Sequence, residues 1–144
     1  MVNRCRFSGT FKIFSMNDKT FSWKARWKSF QYAGAGIRYF LELEHNARLH
    51  LAATILVLSG IVILGPSRLE IIALVMVIAM VWFAEMINTC IEKTLDFITP
   101  DILPAIKQIK DLAAAAVLVT SIAAFITGSI IFIPKIILYV QHWL

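Results

Sequence analysis

The chain has 144 residues, of which 59% are hydrophobic and 16% charged, with a net charge of +5. Soluble domains carry about 25% charged residues, and so small a core cannot bury this apolar excess, so lipid is the expected solvent. The positive charge sits beside apolar runs and forms no separate basic face, which argues against a nucleic-acid-binding module.

Residues 1–20 are polar and basic and lack an apolar h-region, so no cleavable signal is expected. Cys5 and Cys90 fit no metal or disulfide spacing. Neither an internal repeat nor a low-complexity segment is present, and residues 1–144 read as a single all-α membrane domain. Residues 21–48 predict a helix. Trp23, Trp27, Phe30, Ile37 and Leu41 fall on one side at helical spacing, flanked by Lys24, Lys28 and Arg38. That pattern suits an amphipathic helix lying on the membrane with aromatic anchors. It suits equally a helix packed against a bundle. Gly34 and Gly36 permit a bend or a close approach.

Three apolar runs follow, at residues 51–64, 71–84 and 112–133. The third has 22 residues and can span alone, because a bilayer core needs about 20. The first two have 14 each. Both continue as helix into polar sequence, so each spans if its polar end lies at headgroup level or faces other helices. Three transmembrane helices are therefore expected, near 49–64, 70–96 and 110–133. Gly65 and Pro66 mark the first turn. In the second loop, Thr99 reads as an N-cap with Pro100 at the first helical position. Pro104 then kinks or restarts that helix. Of the 14 basic residues, 12 lie before the first span or in the second loop and 2 lie elsewhere. The positive-inside rule puts the 12 in the cytoplasm.

The second apolar run ends in FAEMINTCIEKTLDF, residues 83–97. With Glu85 at zero on a helical wheel, Asn88 falls near about −60°, Glu92 near about −20° and Asp96 near about +20°. All four share one narrow stripe. A helix end emerging into water explains Asp96 and Glu92. It explains Glu85 poorly, since an ionisable group abutting an apolar run is costly and is a functional candidate by default. Glu85 and Glu92 stand about 10.5 Å apart along the axis, so they cannot share one metal without a partner element. Mg²⁺ prefers oxygen ligands and keeps phosphates as companions. Glu92 can supply one carboxylate and Glu44 another, while Lys110 offers a cation for phosphate. Metal, cation and base are the parts of phosphoryl transfer. No Walker motif is present, and GAG at 34–36 lacks the third glycine of a nucleotide-binding loop.

The signature E-x-x-N-T-C-I-E-x-x-L-D, followed by K-D-L-A-A-A-A-V-L from Lys110, resembles the prokaryotic diacylglycerol kinase family. The resemblance runs ungapped from about Gly36 to Ile133, with Cys90 where Ser or Ala is usual and Leu95 where Val is common. It implies a small homotrimeric membrane enzyme with three spans per chain, an amphipathic surface helix, and sites between neighbouring chains. It implies ATP and Mg²⁺ as cofactors and a membrane lipid alcohol as substrate. Under it, Glu85 matches the catalytic base and Asn88 the residue that orients groups beside it. Glu92 matches a metal carboxylate with Glu44 as its partner, and Asp96, Lys110 and Asp111 match residues around the nucleotide. The family has an undecaprenol and a diacylglycerol branch. E-H-N-A-R-L-H at 44–50 resembles the first, with His45 in place of Arg, as does G-S-I-I-F-I-P-K-I at 128–136. The diacylglycerol branch usually has Glu where His50 stands. Taken alone, His45 and His50 read as interfacial or packing histidines. The competing classes are an ion-conducting subunit, which carries one isolated acid near mid-bilayer, and a non-catalytic assembly subunit, which needs none of these groups.

Overall fold

The computed structural model describes residues 22–99, 101 and 103–143, without the side chains of Leu43, His142 and Trp143. The basic lead, residues 1–20, lies outside the described residues. Four helices follow in order: α1 (Trp23–Leu43), α2 (His45–Leu64), α3 (Arg68–Ile98) and α4 (Pro104–Trp143). The chain packs as two units, residues 1–35 and 36–144. In the first, Trp23, Trp27 and Phe30 are exposed.

The second unit holds three helices long and apolar enough to cross a membrane. Even the shortest, α2 with 20 residues, is about 30 Å long, the thickness of a bilayer core. Helix α3 packs most extensively on α4, and α2 rests on both. The core is thin: among the described residues, Leu74 and Val81 of α3, Phe40, Ala47 and Ile131 are its buried apolar side chains. Leu56, Val62 and Phe125 are by contrast more than 70% exposed. In water such a surface would drive association; in lipid it faces a solvent of its own kind.

Each turn has a local cause. Gly65 ends α2 in the left-handed region at φ 55°, where its N–H donates to the Ile61 carbonyl, a conformation glycine adopts at no steric penalty. Ser67 then opens α3 with a reciprocal capping box: its hydroxyl accepts from the Glu70 N–H, and the Glu70 carboxylate accepts from the Ser67 N–H at 2.6 Å. Lys135 of α4 reaches the same Glu70 at 3.2 Å, which ties the two helices at that end.

Three boundaries differ from the sequence reading. The helix expected over 21–48 breaks at Glu44, which is extended at φ −96°, ψ 121°. Arg48 supports the break by donating to the carbonyls of Leu41 and Glu42 at 3.3 and 2.6 Å, so the last groups of α1 are satisfied without continuing the helix. Thr99 does not start a helix: it closes α3, its N–H donating to the Leu95 carbonyl. Its hydroxyl accepts from the Asp101 N–H at 3.1 Å, the local turn that Ser and Thr favour. Pro100 lies outside the described residues. Helix α4 begins at Pro104 instead, and it runs past residue 133 through Pro134 to Trp143.

Candidate active site

The carboxylate stripe stands on one uninterrupted helix, α3. Burial falls along it in the order of depth read from the sequence. Glu85 is 2% exposed and Asn88 6% exposed, Glu92 is half-buried, and Asp96 is exposed. Asn88 Nδ2 donates to Glu92 Oε1 at 3.1 Å, the i to i+4 neighbour one turn on. Asp96 accepts from Lys110 Nζ of α4, and exposed Asp111 follows Lys110 at the same end of that helix.

The break between α1 and α2 brings Glu44 to this end of α3. Lys93 Nζ lies 3.1 Å from Glu44 Oε1 as an ion pair, outside hydrogen-bond alignment. On the deeper side, His50 Nε2 of α2 stands 3.9 Å from Glu85 Oε2. One turn further along α2, Thr54 Oγ1 donates to the His50 carbonyl at 2.7 Å and accepts from Trp82 Nε1 at 3.0 Å. The Trp82 ring meets Phe40 edge-on with centroids 6.0 Å apart. A cavity of about 500 Å³ opens between α2, α3 and α4, with His50 in its lining and largely apolar walls.

Buried side-chain polar atoms are normally hydrogen-bonded. Among the described residues three are not: Glu44 Oε1, Glu85 Oε2 and Asn88 Oδ1. All three belong to residues singled out from the sequence. No group of three or more His, Cys, Asp or Glu side chains suited to a metal is gathered among the described residues. Two carboxylates and a phosphate-bearing partner nonetheless fit Mg²⁺, which usually keeps several waters and takes few protein ligands. Glu44 Oε1 is a hard oxygen donor of that kind, and it already faces a cation, the Lys93 ammonium.

Among the pairings that only the fold brings out, two involve the candidate site carboxylates Glu85 and Glu44, His50 with Glu85 and Lys93 with Glu44. The first joins α2 to α3, the second joins α3 to the break between α1 and α2. The signal available was spacing alone: His50 sits on the first turns of a helix that begins beside Glu44.

The model of the family described as prokaryotic diacylglycerol kinase matches residues 31–132. The chain belongs to the prokaryotic diacylglycerol kinase family. The kinase is 38% identical over 109 residues to undecaprenol kinase of Bacillus subtilis, covering 76% of this chain and 89% of that one. It is 30% identical over 110 residues to diacylglycerol kinase of a Synechocystis species, covering 76% of this chain and 63% of that one. Membership makes the chain a lipid kinase, implies ATP use, and agrees with three bilayer-crossing helices in a multi-pass membrane protein. An ion-conducting or assembly subunit is thereby set aside.

Proposed function

We propose that the kinase transfers the γ-phosphoryl group of ATP to undecaprenol at the cytoplasmic face of the membrane, with Glu85 as general base. The observation that carries this reading is the pair of buried acceptors without a hydrogen bond, Glu85 Oε2 and Asn88 Oδ1, beside Glu44 Oε1, which faces only the Lys93 ammonium. A structural helix gains nothing from burying carboxylate and amide oxygens without a hydrogen bond, at about 1–3 kcal/mol each. A site that binds protons, cations and hydroxyls does.

The chemistry follows from position. Glu85 Oε2 takes the proton of the lipid hydroxyl while that oxygen bonds to the γ-phosphorus. The bond from phosphorus to the bridging oxygen breaks, and ADP leaves with the electron pair. Asn88, one turn on, orients groups beside Glu85 and holds Glu92 through their hydrogen bond. Glu92 and Glu44 would hold Mg²⁺, which when bound supplies positive charge to the phosphates. Lys110, steadied by Asp96, offers a second cation, and Asp111 stands beside it. The aromatic side chains exposed on α1 suit anchoring in the membrane interface. A homotrimer with sites shared between chains completes the reading.

The undecaprenol assignment is supported by the 38% identity with the Bacillus kinase and by the stretch at 44–50. The Synechocystis relative favours diacylglycerol as the second reading. Radiolabelled phosphate transfer from ATP to undecaprenol and diacylglycerol competing in one mixed-micelle assay separates them. A higher kcat/KM for undecaprenol is expected; the reverse order moves the protein to the second reading.

A further inference from the structure

Glu85 is the proposed base, yet its buried Oε2 has no hydrogen bond, and His50 Nε2 stands 3.9 Å from it. That distance is too long for a hydrogen bond and short for two groups with no common task. Two atoms 3.9 Å apart can both reach a single oxygen placed to one side at about 2.8 Å from each. His50 is the ionisable side chain in the lining of the cavity between α2, α3 and α4, where Ser121 and Ser129 of α4 add hydroxyls. Away from it, Ala53, Val57, Val81 and Ile133 line the walls. Phe132, also in the wall, is seated against Gly60, where an added Cβ would stand 3.2 Å from the ring. Thr54 and Trp82 line the cavity too, but their polar atoms are bonded to each other. The imidazole lines the cavity and faces Glu85, which places it to meet a ligand there, and Thr54 donates to the carbonyl of His50.

We propose that His50 is a substrate-positioning residue: its Nε2–H and Glu85 Oε2 bracket the hydroxyl of a long-chain lipid alcohol, whose hydrocarbon chain lies along the cavity between α2, α3 and α4. The hydroxyl oxygen accepts from His50 while its proton points at Glu85. His50 gives up no proton in the transfer; the proton goes to Glu85, as in the reading of Glu85 as base on which this proposal rests. A histidine here selects where the hydroxyl stops, and so sets its depth against the nucleotide.

The experiment compares wild type, His50→Leu, His50→Gln and Glu85→Gln in detergent micelles, varying undecaprenol and ATP separately. Leu keeps bulk and removes the donor; Gln restores an N–H donor. Removal of one hydrogen bond to the hydroxyl is expected to raise KM for undecaprenol about tenfold in His50→Leu. KM for ATP should stay within about twofold of wild type, and His50→Gln should recover most of the loss. Full activity in His50→Leu overturns the proposal while leaving Glu85 as base. A His50→Gln variant that folds normally yet is as impaired as His50→Leu overturns it as well, as does a parallel rise in KM for ATP. Near-normal turnover in Glu85→Gln overturns this proposal and the reading beneath it together.

Discussion

The pair of Asp96 and Lys110 offers a case in which magnitude separates structure from function. It joins α3 to α4, and its side chains are 58% and 34% exposed. Exposed ion pairs contribute about 0.2–1 kcal/mol, so neutralising either partner leaves the helices packed. A charge-assisted contact from Lys110 to a nucleotide phosphate is worth about 1.5–3 kcal/mol, which is about 10- to 150-fold in kcat/KM at 1.4 kcal/mol per decade. Lys110→Met is therefore expected to lose at least about tenfold in kcat/KM for ATP while its thermal unfolding in detergent shifts little. Asp96→Asn, which removes the partner and keeps the cation, should cost less than Lys110→Met. The assay is steady-state kinetics on both variants and on the double variant, with melting curves on the same samples. Equal losses in both single variants, each matched by a fall in melting temperature, would refute the reasoning and leave the pair a helix clamp.

Two further perturbations follow from the same geometry. Glu44→Gln and Glu92→Gln should each require more Mg²⁺ for half-maximal activity, with partial recovery at high Mg²⁺; superimposable Mg²⁺ titrations of both variants and wild type would exclude the carboxylates as metal ligands. Thr54→Val removes the acceptor of Trp82 Nε1 and should destabilise the fold by about 0.6 kcal/mol, the average for interhelical hydrogen bonds in membranes, and by no more than about 1.7 kcal/mol, with KM for ATP unchanged; an unaltered unfolding midpoint would show that this bond holds nothing.

Much of this architecture was legible in the sequence because membrane helices announce themselves by apolar length. The same periodicity placed Glu85, Asn88, Glu92 and Asp96 on one stripe, and α3 carries them without interruption. Boundaries were less legible where one signal has two uses. Thr99 followed by Pro100 reads as a helix start, but a hydroxyl that accepts a backbone N–H two residues on serves a turn after a helix equally well. The break at Glu44 carries neither Gly nor Pro; it is made by Arg48 reaching back over six and seven residues to the end of α1. The approach of His50 to Glu85 depends on how α2 and α3 rotate against one another. A helical wheel fixes the faces of each helix and says nothing of which faces meet.

The most direct test is Glu85→Gln, a change that keeps shape and removes the proton acceptor. ATP-analogue binding and kcat with undecaprenol are measured on the purified variant beside Glu92→Gln. Loss of a general base costs about 10²- to 10⁴-fold in rate, so Glu85→Gln should bind nucleotide as wild type does and turn over slower by that factor, whereas Glu92→Gln should lose nucleotide binding in Mg²⁺ as well. A Glu85→Gln enzyme with near-normal kcat would contradict the assignment of Glu85 as the base.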